Sequence, residues 1–142
     1  MRKIIENKTL SFILLIIWSL IIFFLSNQSS EVSSSESSYL IMHTLKVSNS
    51  VLNVIHEPLR ELMHFVEYFI FGILLFNTLN NHKINRKVIL SIVISFIYII
   101  SDEVHQIFIP GRAFQILDII LDSLGAILGI YILNIFIYRK NK

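Results

Sequence analysis

The 142-residue chain contains no cysteine, and only 15% of its residues are charged. Without cysteine it has no disulfide framework, no thiolate metal site and no thiol nucleophile. A typical soluble domain carries about a quarter charged residues. The shortage of charge therefore argues against a soluble enzyme, a nucleic-acid-binding domain and a disordered scaffold.

Hydrophobic residues make up 54% of the chain, and the mean hydropathy is +0.69. They are concentrated in four runs, at 10–25, 65–79, 88–100 and 113–138. A water-soluble chain of this size buries only about two thirds of its surface, which is too little to cover four such runs. The sequence therefore predicts a small integral membrane protein.

The runs predict an all-α membrane domain, 1–142, with four transmembrane helices. The first reads as an uncleaved signal anchor, because no small-x-small cleavage site follows it. The third run is too short at 88–101, about 21 Å of helix against about 30 Å of hydrocarbon. We therefore expect it to continue through its polar residues to Ile109. The predicted helices span about 9–26, 62–79, 88–109 and 114–138.

Basic residues indicate the topology. Nine of the 12 Lys and Arg residues lie in the N-terminal tail, in segment 80–87 and in the C-terminal tail. Because cytoplasmic segments carry the excess of Lys and Arg, both termini are predicted to be cytoplasmic. The sequence pI of about 9.0 thus reflects topology, and no nucleic-acid partner is expected.

The first outer segment, between the first and second spanning helices, has two parts. Residues 29–38 are serine-rich and predict a flexible linker. Residues 39–55 place apolar side chains at mostly helical spacing, which predicts an amphipathic helix on the outer membrane surface. Pro58 is expected to end that helix or to redirect the chain into the second span.

Ionisable side chains occur at membrane depth in three of the predicted helices. Such groups cost several kcal/mol each and normally face a protein interior or a wet cavity. Each helix contributes a pair spaced three or four residues apart, which puts both members on one helix face. The pairs are His64 with Glu67, Asp102 with His105, and Asp118 with Asp122. We therefore expect the helices to bring these groups together near the outer end. The residues predicted to line this site are His64, Glu67, Asp102, Glu103, His105, Gln106, Arg112, Asp118 and Asp122.

These residue types allow several kinds of site. His105 with Asp102, and with Glu103 nearby, could act as a general acid/base group. A divalent metal could be a cofactor, and its ligands would come from His64, Glu67, Asp102 and His105. A ligand would be bound by His64, Glu67, Gln106, Arg112, Asp118 and Asp122, and Arg112 suits a phosphate or carboxylate. Equally, the groups could form a proton relay, or a hydrogen-bond network that only ties the helices together.

Gly125 and Gly129 form a G-x-x-x-G pattern in the fourth predicted helix. Small residues at this spacing permit close helix contact. Because a four-helix chain offers internal partners, we predict packing within one bundle rather than dimerisation.

The string DEVHQIFIPGR at 102–112, followed by Asp118, Asp122, Gly125 and Gly129, resembles the VanZ-like family of small bacterial membrane proteins. The first helix running into FLSNQS at 24–29 is similar to the start of that family. So are His64-Phe65, Glu67-Tyr68 and Gly72 in the second helix. One position departs from the pattern, because Asn is frequent in the family where Asp122 stands.

The resemblance implies a role in the bacterial cell envelope. The family's namesake is associated with low-level resistance to the glycopeptide antibiotic teicoplanin. We therefore expect a multi-pass protein of the bacterial cytoplasmic membrane whose outward-facing polar site engages an envelope lipid or a cell-wall precursor. Whether the site transforms that ligand stays open. The alternatives are an accessory of ion- or proton-coupled transport, and a structural partner of another membrane protein with no chemistry of its own.

Overall fold

The computed structural model describes residues 7–28 and 49–140, and these residues contain helices and no strand. The helices are α1 (Lys8–Ser26), α2 (Asn49–Asn81), α3 (Lys87–Gln106) and α4 (Ile116–Lys140). Each contains a stretch that is long and apolar enough to cross a membrane: Lys8–Ser26, Arg60–Asn81, Lys87–Gln106 and Ile116–Arg139. For the described residues, the prediction of an all-helical fold with four helices able to span a membrane is therefore confirmed.

Helix α2 is longer than predicted, because it begins at Asn49 and continues through Pro58. The expectation that Pro58 ends a helix or redirects the chain is therefore wrong. Pro58 is exposed and precedes the membrane-spanning part of α2, so solvent or lipid head groups can satisfy the carbonyl group that it leaves unbonded. Residues 49–55 of the predicted surface helix belong to α2, and its residues 39–48 lie outside the described residues, as does linker 29–38.

Helix α3 continues through the polar residues, as predicted, but ends at Gln106 rather than at Ile109. The chain then turns, with backbone hydrogen bonds from Phe108 to His105 and from Arg112 to Ile109. Gly111 has a φ of 76°, a left-handed conformation that glycine adopts readily. This turn returns the chain to α4, which starts at Ile116, two residues after the predicted start.

Helices α2 and α4 have the most extensive contact in the bundle. Three glycines make this contact close: a Cβ atom on Gly72, Gly125 or Gly129 would collide with a backbone carbonyl oxygen of the facing helix. The prediction that the G-x-x-x-G pattern packs within one bundle is confirmed. The side chains that form the main core cluster are Ile22, Tyr68, Phe71, Leu75, Ile99 and Ala126.

The bundle has two chemically different ends. At one end, the Arg112 Nε atom donates to the Gln28 carbonyl oxygen over 3.0 Å, which joins the α3–α4 turn to the end of α1. All six acidic residues whose side chains the structure describes lie in the elements that meet here. We call it the polar end. At the other, the basic end, the Thr78 hydroxyl donates to the Ser11 carbonyl oxygen; its described basic residues are Lys8, Lys83, Arg86, Lys87 and Arg139.

Candidate functional site

Asp102 lies in the middle of the polar end, where only 7% of it is exposed. Its Oδ2 atom accepts a hydrogen bond from the Tyr68 hydroxyl over 3.0 Å and one from the Gln106 side-chain amide over 3.3 Å. Tyr68 reaches Asp102 from α2, whereas Gln106 lies one turn further along α3. The carboxylate is therefore fixed between two helices by two donors.

Gln106 connects Asp102 to Arg112 through hydrogen bonds. The Gln106 Oε1 atom accepts from the Arg112 Nη1 atom over 3.2 Å, while the Nε atom of the same guanidinium donates to the Gln28 carbonyl. A continuous hydrogen-bonded path thus runs from Tyr68 through Asp102, Gln106 and Arg112 to Gln28. It connects α2 and α3 with the α3–α4 turn and the end of α1.

Arg112 is a partly buried cation in a group of other charges. Burial lowers the pKa of its guanidinium, and nearby Arg60 lowers it further, whereas Asp102, Glu67 and Asp118 raise it. Arginine nevertheless stays protonated in proteins. Arg112 therefore keeps its positive charge at a point where a second guanidinium and three carboxyl groups are close enough to act on it.

His64 and Asp122 form the part of the cluster that lies between α2 and α4. The His64 Nδ1 atom lies 4.0 Å from the Asp122 Oδ2 atom, and only 3% of Asp122 is exposed. The two side chains meet where α2 and α4 cross closely at Gly125. Neither the His64 Nδ1 atom nor the Asp122 Oδ1 atom has a hydrogen-bond partner among the described residues. Because a buried unpaired polar group costs about 1–3 kcal/mol, this side of the cluster is incompletely satisfied.

The remaining predicted acids have distinct positions. The buried Glu103 side chain accepts a hydrogen bond from the Gln115 backbone N–H over 2.5 Å, just before α4 begins. Asp118 is buried in the first turn of α4, where the helix dipole favours a negative charge. Glu67 is partly buried and interacts electrostatically with Asp102 and Arg112. All three therefore belong to the polar end.

His105 lies apart from this cluster. Its Nε2 atom is 3.4 Å from the Asn27 Oδ1 atom, and its ring stacks on Phe23 with 5.0 Å between the centroids. His105 and Asp102 share one broad face of α3, but residues three apart differ in direction by about 60°, and here His105 meets α1 while Asp102 meets α2. The acid/base pair expected from the sequence, His105 with Asp102, is thus not assembled; the partner of Asp102 is Tyr68.

The described residues contain no group of three or more His, Cys, Asp or Glu side chains arranged to hold a metal ion. Of the four candidate ligands, His105 faces α1, and the Asp102 Oδ2 atom already accepts two hydrogen bonds. The geometry therefore does not assemble the metal site that His64, Glu67, Asp102 and His105 would form.

Sequence reasoning did not include Tyr68, Asn27 and Gln28 in the site. Tyr68 is four residues after His64, so helical spacing alone puts the two on one face. Asn27 and Gln28 directly follow the first predicted helix, 9–26, at the membrane level where the polar groups of the other helices were expected. Helical spacing for Tyr68, and position along the chain for Asn27 and Gln28, could therefore have predicted that these residues lie at the polar end.

The arrangement combines two chemical capabilities. Arg112 and Arg60 provide adjacent positive charges that suit an anionic group. His64 and Asp122 provide buried polar atoms that are free to bind a hydroxyl or amide group, or to take up a proton. The geometry is thus suited to a ligand with an anionic group and neutral polar groups close together.

Comparison with known proteins identifies one family. The family model for VanZ/LLP1 matches residues 11–137. No curated protein and no solved structure matches the chain. The match includes the whole of the second and third spans and most of the first and fourth, together with the polar end that the structure describes. This multi-pass membrane protein therefore belongs to the VanZ/LLP1 family.

Proposed function

We propose that the protein lies in the bacterial cytoplasmic membrane with both termini in the cytoplasm and with its polar end facing outward. The separation of charges supports this orientation, because the described acids lie at one end of the bundle and Lys83, Arg86, Lys87 and Arg139 at the other. Cytoplasmic segments carry the excess of Lys and Arg. In this orientation, His64, Arg112 and Asp122 face the cell envelope.

We further propose that the polar end binds an envelope lipid or a lipid-linked cell-wall precursor. Arg112, with Arg60 beside it, would bind the phosphate group. His64 and Asp122 would bind hydroxyl or amide groups close to that phosphate. The association of the family's namesake with teicoplanin resistance agrees with a ligand in the cell envelope.

The observation that carries this proposal is the incomplete pairing of His64 and Asp122. A network that serves only the fold is expected to satisfy its buried polar atoms, since almost all such atoms in native proteins have partners. Here the side with Asp102 and Gln106 is connected, whereas the His64 Nδ1 and Asp122 Oδ1 atoms are buried without a partner among the described residues. A bound polar ligand would supply those hydrogen bonds.

The proposal can be tested with three single variants, His64→Ala, Arg112→Gln and Asp122→Ala. We expect each to reduce the binding of a polyprenyl phosphate, measured by native mass spectrometry of the full chain, and to reduce any teicoplanin resistance that the wild-type protein confers. Arg139→Gln is the matched control, because it removes one positive charge from the basic end. Wild-type binding in all three site variants, at normal abundance, would contradict the proposal.

The same variants distinguish a purely structural role. A structural partner of another membrane protein would need the cluster only to hold its own fold. The three substitutions would then lower the abundance and the melting temperature in proportion, and ligand binding per folded molecule would not change.

A second function, an accessory of proton-coupled transport, is favoured by a separate observation. Buried hydroxyl groups of Ser123, Ser95 and Ser91 lack hydrogen-bond partners among the described residues. They extend from beside Asp122 towards the basic end, and Ser95 and Ser123 line a cavity of about 60 Å³ between α3 and α4. A water molecule occupies about 30 Å³ in the liquid, so this cavity is large enough for water.

Proton flux in proteoliposomes tests this second function. If the hydroxyl groups carry protons, wild-type protein should dissipate an imposed pH gradient faster than empty liposomes, and Asp122→Asn and Ser95→Ala should slow it. Ser101→Ala is a suitable control, because Ser101 is exposed and its hydroxyl already donates to the Tyr98 carbonyl. Equal rates with wild-type protein and with empty liposomes would exclude proton transfer by this chain alone.

A further inference from the structure

A second chemically defined region lies at the basic end, about the length of a helix away from the polar cluster. A cavity of about 590 Å³ opens where α2 ends and α3 begins. Three of the residues that line it are cationic: Lys83, Arg86 and Lys87. The apolar residues that line it are Ile84, Val88 and Ile89, of which Ile84 and Ile89 are exposed.

The positive charge of this cavity is not neutralised by the protein that the structure describes. The six acidic residues whose side chains the structure describes all belong to the polar end. Lys87 is held in position by a hydrogen bond from its Nζ atom to the Asn80 Oδ1 atom over 2.5 Å, and it lies 5.8 Å from the centre of the Phe76 ring. Neither contact removes its charge, so Lys87 contributes a positive charge to the cavity together with Lys83 and Arg86.

The backbone also holds the other two cations in the cavity wall. Lys83 and Arg86 have φ angles of 55° and 56°, a left-handed conformation that side chains other than glycine rarely adopt. Such conformations persist only where the surroundings impose them. In this short connection they let the chain turn between two antiparallel helices while both cations still line the cavity.

The position of the cavity defines its environment. Asn81 is the last residue of one membrane-spanning stretch, and Lys87 is the first residue of the next. The cavity therefore lies at the boundary between hydrocarbon and water. Ile89 lies within the second stretch, whereas Lys83 and Arg86 lie in the connection outside both stretches, at the level expected for lipid head groups.

We infer that this cavity binds the phosphate head group of an anionic phospholipid, with the start of an acyl chain against Ile84 and Ile89. The cations provide charge complementarity to the phosphate, and the apolar wall explains why a lipid fits better than a free phosphate ion. The inference does not depend on the proposed orientation, since either leaflet presents phospholipid head groups at this depth. It is also independent of the ligand proposed for the polar end.

The test compares two double variants with the same change of charge. Lys83→Gln/Arg86→Gln removes two cations that line the cavity, and Lys8→Gln/Arg139→Gln removes two exposed cations from the same end that do not line it. The full chain is exchanged into nanodiscs containing phosphatidylglycerol and phosphatidylcholine of matched acyl chains. Native mass spectrometry then measures which lipid stays bound to the protein after the protein is released from the nanodisc.

We expect wild-type protein to retain phosphatidylglycerol in preference to phosphatidylcholine. Each cation near an anionic lipid surface contributes roughly a fivefold preference, so the cavity variant should lose roughly 25-fold, and the control should stay within about twofold of wild type. Equal losses in the two double variants would show general surface attraction and would overturn the inference.

A free phosphate ion is the competing ligand, and a second arm of the experiment addresses it. Inorganic phosphate, added to the detergent-solubilised full chain, should not displace bound phosphatidylglycerol if the acyl chain contributes to binding. Displacement by phosphate would overturn the lipid assignment.

The single variant Lys83→Gln keeps the inference testable if the double variant fails to fold. The Lys83 side chain is exposed, so its replacement should not affect the fold. It should show about a fivefold loss of preference at unchanged melting temperature.

Discussion

Tyr68 donates a hydrogen bond to Asp102 over 3.0 Å, and both side chains are buried at the interface of α2 and α3. The Tyr68 ring also contacts the aromatic core, with 6.2 Å between its centroid and that of Phe71. Phe71 in turn stacks on Tyr98, whose hydroxyl donates to the Ser19 carbonyl over 2.7 Å. The polar cluster is therefore attached directly to the part of the core that joins α1, α2 and α3.

Substitution of Tyr68 by Phe is expected to destabilise the protein modestly and to disturb the site. The variant keeps the ring packing but removes one of the two donors to the Asp102 Oδ2 atom. We expect the free energy of unfolding to fall by about 1 kcal/mol, the usual contribution of one such hydrogen bond. Thermal or denaturant unfolding of the purified protein measures this change.

Tyr131→Phe provides the matched control, because Tyr131 is on the bundle exterior with 48% of it exposed. A double-mutant cycle with Asp102→Asn then isolates the interaction between Tyr68 and Asp102. Strictly additive effects of Tyr68→Phe and Asp102→Asn would show that the hydrogen bond does not contribute to stability.

Gly125→Ala is expected to separate α2 from α4. Its Cβ atom would collide with the Phe65 carbonyl oxygen, and backbone atoms cannot move aside as a flexible side chain can. Overpacking of this kind costs about 1–3 kcal/mol. Because His64 lies next to Phe65, the distance between His64 and Asp122 should also change, and ligand binding should weaken together with stability.

Leu124→Ala is the control for the same helix, since 53% of Leu124 is exposed on the outer face of α4. It should leave the melting temperature nearly unchanged.

Chemical crosslinking of the protein in membranes tests whether Gly125 instead packs against a second copy of the chain. Loss of a dimer in Gly125→Ala with unchanged monomer stability would contradict packing within the bundle.

Much of the fold follows from sequence because bilayer length and hydropathy constrain the spans strongly. The continuation of α3 into Asp102 and Gln106 was predictable, since the apolar run alone is too short to cross. The course of the chain at Pro58 was not, because a local rule about proline cannot tell whether solvent satisfies the carbonyl that it leaves unbonded. The outcome depended on where the membrane-spanning part begins.

The site was only partly predictable for a related reason. Spacing along a helix indicates which residues share a face, so the convergence of His64, Asp102 and Asp122 could be expected. It does not indicate which neighbouring helix each face meets. His105 follows Asp102 by three residues, yet it packs on Phe23 of α1, and this difference is set by the rotation of α3 in the bundle.

Arg112→Lys tests the connection between the α3–α4 turn and α1. Arg112 donates to two different acceptors, the Gln28 carbonyl and the Gln106 side chain, whereas a lysine ammonium group lacks the planar fork that reaches both. Loss of one hydrogen bond of about 1 kcal/mol should speed amide hydrogen exchange in residues 107–111 by roughly fivefold. Arg139→Lys at the basic end should not alter it, and unchanged exchange in Arg112→Lys would contradict the connection.

His64→Ala and His105→Ala should separate ligand binding from stability. His64 contributes a buried nitrogen without a partner among the described residues, close to Asp122, so its removal should weaken the binding of a polyprenyl phosphate at least tenfold, which corresponds to about 1.4 kcal/mol. His105 packs on Phe23 and lies near Asn27. Its removal should lower the melting temperature only slightly, since one aromatic contact contributes about 1 kcal/mol. Ligand binding per folded molecule should stay within about twofold of wild type, a change of about 0.4 kcal/mol. Binding and melting are measured on the same preparations. An equal loss of binding in both variants would show that His105 takes part in the binding site, as its position in the sequence predicted.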